Sequence, residues 1–448
     1  MNLNELKHIY FIGIGGIGMS ALARYFMQKG MMVSGYDKTE TKLTKILEEE
    51  GIHITFKDEV AEIPELIDLV VYTPAIPSDH KQFNYFKKIK TPILKRSALL
   101  GELSKNKYTI AIAGTHGKTT ITSLVAHIFM TAGIKISAFV GGITKNYNTN
   151  FIGSADAEVV IAEADEYDRS FLTLSPDISL ISSMDADHLD IYHNKMQLVE
   201  SFKLFSEQGM PNSQLIVNHR LKSELGSEKC FTYNLDSRAD FYGYDIQIVN
   251  AAYEFNIHTN EGILNDLQFM IPGRHNLENV IAAVSVAKLY GIKDQFIKEA
   301  LKTYKGVERR FDILVNRPDC VYIDDYAHHP EELRACIQAV REFYPEQKIT
   351  GIFQPHLFSR TRDFADEFAR SLELLDELIL LEIYPAREKP IEGIDASFLL
   401  DKVNLKNKYL FTNEEVVSYI STSKPKILLT VGAGDIDKLV QPIKELLI

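Results

Sequence analysis

The sequence predicts an α/β protein of about three domains, each built on a mainly parallel sheet. Short apolar runs alternate with segments of helical period along almost the whole chain, which is the pattern of parallel strands covered by helices. The chain has 448 residues, and about 150 residues make an ordinary domain. A polar stretch and a basic linker separate the alternating blocks, so we predict domains at 1–105, 106–308 and 309–448.

Composition and charge narrow the class of protein. Lysine and arginine number 49 against 61 acidic residues, a formal net charge of −12, which argues against nucleic acid or an anionic membrane as partner. Hydrophobic residues at 45% and charged residues at 25% are ordinary globular values and exclude a fibrous or disordered chain. The odd number of cysteines, without metal-ligand spacing, indicates a reduced compartment. We therefore expect a cytoplasmic protein and leave its oligomeric state open.

A glycine-rich turn follows the first strand, HIYFIGI, and precedes the helix MSALARYFMQKG. Gly13, Gly15, Gly16 and Gly18 fit the pattern G-x-G-x-x-G, and Asp37 ends the next strand. This geometry suits a pyrophosphate at a helix N-terminus and a ribose diol beside the acid. NAD and a UDP-sugar satisfy it equally, and a plain strand–helix turn is the third interpretation.

A second glycine loop carries the strongest local chemistry, in the run AIAGTHGKTTITSLVAHIF. Backbone N–H groups of such a loop surround phosphate oxygens, and the helix dipole adds to the attraction. Lys118 would reach the terminal phosphates, and the Thr119 hydroxyl would bind Mg²⁺. The loop is shorter than G-x-x-x-x-G-K-[ST], because Ile112 stands where that pattern has glycine. We predict an ATP or GTP site made by Gly114, Thr115, His116, Gly117, Lys118, Thr119 and Thr120.

Two acidic clusters follow strands in the same block. Glu163 ends the apolar run VVIAE, and the run ISLISSM leads into DADHLD, which contains His188. Ligands gather at such strand ends in open α/β sheets, and carboxylates there hold the cation that bridges nucleotide phosphates. We expect Mg²⁺ or Mn²⁺ near Glu163, with Glu163 and His188 forming a second cation site. Solvated acidic loops are the alternative.

Polar residues also gather at a helix start in GRHNLENV, where we single out His275, Asn276 and Asn279. Asparagine amides can read the edge of a purine base, but Asn276 can equally cap the helix. Both interpretations stay open.

The third block ends two strands with histidine and charged residues. DDYAHHPEE places Asp325 and His329 at a strand–helix turn, with Pro330 fitting the first helical position. FQPHLFSRTRDF supplies Arg360 and Arg362, whose guanidinium groups suit carboxylates and phosphates.

Taken together, these motifs resemble the Mur ligase family. The resemblance rests on collinear motifs across nearly the whole chain: GIGGIGMSALA, AGTHGKTT, EADEYDRSF, DADHLD, GRHNLENV, GVERRFD, DDYAHHPEE and QPHLFSRTRD. It implies a three-domain α/β architecture with an N-terminal Rossmann-like domain that binds a UDP-substrate, a central P-loop ATPase domain and a C-terminal Rossmann-like domain. It also favours UDP-N-acetylmuramate over NAD at the first glycine loop.

The activity that this resemblance implies is an ATP-dependent ligation in peptidoglycan precursor synthesis. ATP would activate the lactyl carboxylate of UDP-N-acetylmuramate as an acyl phosphate, which an amine then attacks. QPHLFSRTRD favours L-alanine as the amine, although Leu357 stands where alanine-adding members have arginine. Tyr167 is closer to the sister enzymes that add a tripeptide. Among other classes, an NAD-linked oxidoreductase and a regulatory P-loop ATPase remain alternatives.

The resemblance also implies residue roles. The implied catalytic residues are Lys118, His188, Arg310, His329 and Arg360. The implied metal ligands are Thr119, Glu163 and His188, and ATP would also contact His275, Asn276, Asn279 and Asp325. The UDP-substrate would contact Gly15, Gly16, Gly18, Met19 and Asp37.

Overall fold

The chain forms two compact units, seen in a computed structural model that describes residues 3–105, 107–185, 192, 194–235, 239–249, 252–386 and 388–448. Unit 1 comprises Met1–Ile246, Phe255–Gln268 and Glu278–Lys305. Unit 2 comprises Gln247–Glu254, Phe269–Leu277 and Gly306–Ile448.

The first sheet of unit 1 has five parallel strands in the order β3-β2-β1-β4-β5. Its strands are β1 His8–Ile12, β2 Met32–Tyr36, β3 His53–Thr55, β4 Leu69–Tyr72 and β5 Ile93–Lys95. Its helices are α1 Ile17–Gln28, α2 Lys42–Glu49, α3 Lys81–Ile89 and α4 Arg96–Ser104, with short 3₁₀ helices at Leu3–Glu5 and Val60–Glu62. The chain order reverses on either side of β1, so the first glycine loop lies at the topological switch point where such sheets bind ligands.

The second sheet has ten strands in the order β15-β14-β13-β12-β11-β10-β6-β9-β7-β8. The strands are β6 Tyr108–Ala113, β7 Ile136–Thr144, β8 Thr149–Gly153, β9 Val159–Ala164, β10 Ile178–Ile181, β11 Gln214–Asn218, β12 Phe231–Asn234, β13 Phe241–Val249, β14 Ala252–Thr259 and β15 Gly262–Phe269. The helices are α5 Lys118–Thr131, α6 Lys195–Ser206, α7 Lys222–Leu225, α8 Arg274–Tyr290 and α9 Asp294–Thr303, with 3₁₀ helices at Tyr167–Thr173 and His219–Leu221. Strand β6 pairs in parallel with β9 and β10, so the strand ends that carry the phosphate loop and the EADEYD segment are neighbours.

Unit 2 is built on a six-stranded sheet in the order β16-β17-β21-β18-β19-β20, in which β16 alone runs antiparallel to its neighbour. Its strands are β16 Asp312–Asn316, β17 Val321–Asp325, β18 Ile349–Phe353, β19 Glu377–Leu380, β20 Lys408–Leu410 and β21 Ile427–Val431. Its helices are α10 Pro330–Phe343, α11 Phe358–Asp363, α12 Ala365–Leu372, α13 Ala396–Lys402, α14 Asn413–Ser423 and α15 Asp437–Leu447.

A shared core joins the first two sheets into one unit. One hydrophobic cluster contains residues of both sheets, and the Tyr25 ring of α1 packs against Phe139 and Phe151 at 5.6 and 5.7 Å between centroids. The buried Arg24 guanidinium binds the Glu50 carboxylate at 2.8 Å and also donates to Asn150 of β8. The residues 1–105 and 106–308 thus carry separate sheets that share one hydrophobic core within unit 1.

The central strands are buried along nearly their whole length. In β6 the first residue is exposed and the five that follow are buried, which fits a parallel sheet covered by helices on both faces. Among the helices that the structure describes, none combines the length and apolarity needed to cross a bilayer.

Candidate active site

The phosphate loop has a backbone shape that only glycine adopts easily. Gly114 and Gly117 have φ of +133° and +84°, and Gly117 directly precedes α5. A Cβ atom at Gly114 would lie 2.1 Å from the Ser182 Oγ, and one at Gly117 would lie 2.6 Å from the Asn279 Oδ1. The Asn279 amide therefore lies against this loop, and its predicted contact with a nucleotide stays a prediction.

Two serines at the end of β10 hold the loop from the neighbouring strand. The Ser183 Oγ accepts a hydrogen bond from the His116 N–H at 2.7 Å and lies 3.0 Å from the Thr115 Oγ1. The Ser182 hydroxyl donates to the His116 carbonyl at 2.5 Å. Sequence reasoning missed both serines, but their position at the end of a strand next to β6 was a usable signal.

Lys118 meets a fully buried carboxylate. Its Nζ lies 2.9 and 2.8 Å from the Glu166 Oε1 and Oε2 and 2.5 Å from the Gly114 carbonyl oxygen. The Glu166 side chain has no exposed surface, and that of Lys118 is 16% exposed. Burial by itself would lower the pKa of Lys118, but the charge of Glu166 raises it above its ordinary value. The lysine is thus held as an ammonium ion; the role of Glu166 was not predicted.

Glu163 and Thr119 lie together beside the loop, as the sequence predicts. The Thr119 hydroxyl donates to the Glu163 Oε2 at 3.3 Å, and the Gly141 N–H donates to the Oε1. A Cβ atom at Gly141 would lie 2.5 Å from this carboxylate, so a side chain there would displace it. Thr120 follows in the first turn of α5.

The donors at this position fit a magnesium ion. A hydroxyl and a carboxylate oxygen are hard ligands, and Mg²⁺ keeps several waters and substrate phosphates in its shell, so one or two protein ligands suffice. A cluster of three or more histidine, cysteine or acidic side chains is not found among the described residues. The predicted ligand His188 lies outside the described residues.

The first glycine loop is closed by Asp37. The Gly13 N–H donates to the Tyr36 carbonyl at 2.7 Å, and the Gly15 N–H donates to the Asp37 Oδ2 at 2.8 Å. The other carboxylate oxygen of Asp37 accepts from the Thr39 N–H at 3.1 Å. Gly16 then directly precedes α1. Asp37 therefore shapes the loop itself, and its predicted contact with a ribose stays a prediction.

Arg96 lies against the same loop and was missed by sequence reasoning. A Cβ atom at Gly18 would lie 3.0 Å from the Arg96 Nη1, so glycine leaves room for the guanidinium. The Arg96 Nη2 also donates to the Asp165 Oδ2 at 3.2 Å. The available signal was its position directly after β5, at the edge of the sheet that carries the glycine loop. Met19, predicted to contact substrate, has its side chain in the hydrophobic core and is 2% exposed.

In unit 2, Asp325 is a buried carboxylate held by the backbone. Its Oδ2 accepts from the Phe311 N–H at 2.6 Å, and its Oδ1 accepts from the Ala327 N–H at 2.7 Å. Burial raises the pKa of Asp325 to about 6, against the lowering effects of Arg310 and of these hydrogen bonds. The Arg310 guanidinium lies 5.2 Å from the centroid of the Tyr326 ring.

A histidine and arginine cluster forms at the ends of β17 and β18. The Arg360 Nη1 lies 3.5 Å from the His356 Nδ1, and the His356 ring lies 6.0 Å from that of His328. His329 instead precedes α10, and its ring packs edge-on against Phe364 at 4.9 Å. His328 is therefore the histidine that faces His356, although sequence reasoning singled out His329.

Leu357, which stands where alanine-adding family members have arginine, also has an unusual backbone conformation. Leu357 has φ of +72°, a region that non-glycine residues seldom adopt, and it directly precedes α11. Its N–H donates to the Tyr384 carbonyl at 2.9 Å, and its own carbonyl accepts from the Thr361 hydroxyl at 2.8 Å. This strained turn places Arg360 in the first turn of α11, and strain of this kind is typical of functional sites.

The three polar residues of GRHNLENV are divided between the units. Asn279 belongs to unit 1, and His275 and Asn276 belong to unit 2. The Asn276 amide donates to the Pro272 carbonyl at 2.7 Å, and Asn276 lies in the first turn of α8, which begins at Arg274, so it does not take the capping position that the alternative interpretation gave it. Burial lowers the pKa of His275 to about 4, so this ring is neutral near pH 7.

The mainly parallel sheets, the glycine loop and the lysine paired with a buried carboxylate define the class of α/β proteins that bind nucleotide phosphates. Comparison with known proteins specifies the family: residues 8–108 match the Mur ligase family catalytic domain, 112–287 the Mur ligase middle domain and 309–434 the Mur ligase glutamate ligase domain. The chain belongs to the Mur ligase family, as its motifs predict, and it has the predicted three-domain α/β architecture.

Several known proteins match this chain in sequence along its full length. The UDP-N-acetylmuramate–L-alanine ligase of Christiangramia forsetii is 46% identical over 100% of this chain and 99% of its own length. That of Flavobacterium psychrophilum is 47% identical over 99% of each chain. Among solved structures, the UDP-N-acetylmuramate–alanine ligase of Thermotoga maritima has a TM-score of 0.85 at 29% identity, over 98% of this chain and 99% of that one. A murein peptide ligase of Psychrobacter arcticus, at 20% identity, a TM-score of 0.71 and 98% coverage of both chains, shares the fold.

Proposed function

We propose that this chain joins L-alanine to the lactyl carboxylate of UDP-N-acetylmuramate at the expense of ATP. The products would be UDP-N-acetylmuramoyl-L-alanine, ADP and phosphate, a step in peptidoglycan precursor synthesis. The observation that carries this proposal is the phosphate loop with its charged Lys118, next to the Thr119–Glu163 pair. Relatives at 46 and 47% identity that are named for this reaction support it.

The chemistry divides into two transfers. A carboxylate oxygen of the muramoyl group attacks the γ-phosphorus of ATP in line, and ADP leaves. The alanine amine then attacks the acyl carbon, loses a proton, and phosphate leaves from the tetrahedral intermediate. The protein contributes positioning and charge neutralisation rather than a covalent group of its own.

In the first transfer, Lys118 would bind the γ-phosphoryl oxygens, and the loop from Gly114 to Thr120 would donate its N–H groups to the phosphates. Asn279, which lies against Gly117, would contact the nucleotide. We further assign His275, Asn276 and Asp325 to ATP contacts. When bound, Mg²⁺ neutralises phosphate charge; Thr119 and Glu163 would hold it, with His188 as the proposed ligand of a second cation.

For the other substrates, we assign the UDP-moiety to Gly15, Gly16, Gly18, Asp37 and the backbone of Met19, whose side chain lies in the core. Arg310, His329 and Arg360 would bind alanine and the charge that develops at the acyl carbon. A guanidinium pairs with a carboxylate in bidentate fashion, which suits an amino acid whose side chain offers little else to recognise. We also propose the domain boundaries 1–105, 106–308 and 309–448 and a cytoplasmic location.

Phosphate release from ATP tests the proposal directly. We expect release that requires both UDP-N-acetylmuramate and L-alanine, with the product identified by its mass. Release that needs neither substrate indicates a regulatory ATPase. A clear preference for the tripeptide L-alanyl-γ-D-glutamyl-meso-diaminopimelate, which Tyr167 favours, indicates the sister reaction.

A further inference from the structure

We propose that Glu166 is a positioning residue that competes with ATP for Lys118. This inference rests on the proposed function, because it concerns the nucleotide site of that reaction. Before ATP binds, Glu166 would hold the ammonium group of Lys118 in place. When ATP binds, a phosphate oxygen would have to replace it.

The competition follows from the number of hydrogens on the ammonium group. Lysine has three N–H donors, and three acceptor atoms lie within hydrogen-bond distance: both carboxylate oxygens of Glu166, at 2.9 and 2.8 Å, and the Gly114 carbonyl, at 2.5 Å. A phosphate oxygen therefore gains Lys118 by displacing one of these partners. The Gly114 carbonyl is part of the loop that surrounds the phosphates, so Glu166 is the partner to be displaced.

Neighbouring residues hold the backbone of Glu166, so the position of Glu166 does not depend on Lys118 alone. Its backbone carbonyl accepts hydrogen bonds from the Tyr192 hydroxyl and from the Arg169 N–H, the latter at 2.9 Å. The preceding residue, Asp165, is bound to Arg96 at 3.2 Å. Because the carboxylate is fully buried and the chain at residues 165 and 166 is held by these contacts, Lys118, with its long side chain, would be the member of the pair that moves to a phosphate.

The cost of this competition is measurable as nucleotide affinity. We expect Glu166→Gln to bind a β,γ-imido analogue of ATP, in the presence of Mg²⁺, about tenfold more tightly than the parent chain in calorimetry, which corresponds to about 1.4 kcal/mol. Unchanged or weaker binding overturns the proposal, because it means that Glu166 takes nothing from the phosphates or instead helps them.

A double-mutant cycle separates competition for Lys118 from simple repulsion between Glu166 and the phosphates. In a Lys118→Met background, we expect Glu166→Gln to change affinity by less than about twofold, since the contested group is gone. If the tenfold gain persists in that background, Glu166 acts on the phosphates directly and the proposal is wrong.

A matched control comes from another lysine pair in unit 1. The Lys288 Nζ binds Asp294 at 2.8 Å and Glu261 at 2.6 Å, and the Lys288 side chain is 9% exposed. Asp294→Asn removes the same charge from a lysine pair whose carboxylate is more exposed, and we expect unchanged affinity for the analogue. A gain there equal to that of Glu166→Gln would trace the effect to net charge and overturn the proposal.

A second variant keeps the proposal testable if Glu166→Gln does not fold. Glu166→Asp keeps the charge but shortens the side chain. We expect a smaller gain of affinity in the same direction, with a melting curve showing a folded chain. A loss of affinity contradicts the proposal.

If the parent chain binds the analogue and catalyses ligation but neither variant gains affinity, this inference fails while the proposed function stands. If the parent chain binds no analogue, the proposed function itself is wrong.

Discussion

Unit 1 and unit 2 each bury a carboxylate at the end of a central strand, but they satisfy it in different ways. Glu166 in unit 1 meets the ammonium group of Lys118, a side chain that the proposed reaction needs for phosphate. Asp325 in unit 2 meets the backbone N–H groups of Phe311 and Ala327. A side-chain partner can be exchanged for a ligand, whereas a backbone partner is fixed by the fold.

The two arrangements also differ in charge. The Glu166 carboxylate raises the pKa of Lys118, so the pair stays ionic. Burial raises the pKa of Asp325 to about 6, because two dipolar N–H groups and the nearby Arg310 compensate its charge incompletely. Unit 1 therefore holds a charged lysine at its second glycine loop, while unit 2 holds an acid whose pKa lies a little below neutral pH.

The largest expected effect comes from breaking the ionic pair at Lys118. Lys118→Ala should lower the rate of ligation on the order of 100- to 1,000-fold, as for the loss of a preorganised group that stabilises transition-state charge. It should also lower the free energy of unfolding by about 3–5 kcal/mol, because Glu166 is left buried without its partner. Steady-state kinetics and denaturant unfolding measure the two losses separately.

The double variant Lys118→Ala, Glu166→Gln distinguishes these losses. It removes the uncompensated charge, so we expect most of the stability to return while ligation stays slow. Recovery of ligation in the double variant, or normal ligation in Lys118→Ala, would contradict the phosphate role of the lysine.

The second prediction concerns the backbone-held acid. Because the pKa of Asp325 rises from 3.8 to about 6 on folding, the native state binds its proton more tightly than the unfolded state. This contribution to stability is present below about pH 4 and is lost as the pH rises through about 6, a change of up to about 3 kcal/mol. The difference in unfolding free energy between the parent chain and Asp325→Asn should therefore shift by that amount between about pH 4 and about pH 7. A difference that is independent of pH would mean that Asp325 does not titrate on folding in this range.

The fold follows from the sequence because its signals are local and repeated. Runs such as TIAIAG and VVIAEA mark strands covered on both faces, and Pro330 begins α10 as its position after two histidines predicts. The joining of the first two sheets into one unit does not follow. It depends on the packing of Tyr25 against β7 and β8 and on the buried Arg24, contacts between residues more than a hundred positions apart.

The site was predictable where glycine and lysine form a dense motif, as in GTHGKTT. It was not predictable where a common residue acts through a contact with another strand or helix. Ser182 and Ser183 hold the loop from β10, and Arg96 reaches Gly18 from α4. His328 and His329 cannot be distinguished in the sequence, because a difference of one position at a strand–helix turn sends the rings in different directions.

The third prediction tests the histidine and arginine cluster of unit 2. If Arg360 binds the alanine carboxylate, Arg360→Ala should raise the KM for alanine about thirtyfold or more, since truncating one member of a buried charge pair costs about 2–5 kcal/mol. Leu357 offers no guanidinium to replace it. The exposed Arg370 of α12 provides the control, and Arg370→Ala should leave this KM unchanged. Titrations at saturating ATP and UDP-N-acetylmuramate measure both variants, with the tripeptide as rival substrate; an unaltered alanine dependence in Arg360→Ala would refute the assignment.

The smallest expected effect concerns Asp37. Like Asp325, this carboxylate is held by backbone N–H groups, but it lies at the first glycine loop, which we assign to the UDP-substrate. Asp37→Ala removes the acceptor of the Gly15 N–H. We expect the KM for UDP-N-acetylmuramate to rise about tenfold, which corresponds to about 1.4 kcal/mol, because one hydrogen bond to a charged group contributes on that scale. The KM for ATP should stay unchanged. Asp68 gives a matched control, because it also accepts two backbone N–H groups, from Lys7 and His8, at the opposite end of β1. Asp68→Ala should therefore lower stability without changing either KM. Calorimetry with NADH completes the test: micromolar binding to the parent chain that Asp37→Ala abolishes would assign the loop to a nicotinamide nucleotide, and with it the proposed ligase substrate would be wrong.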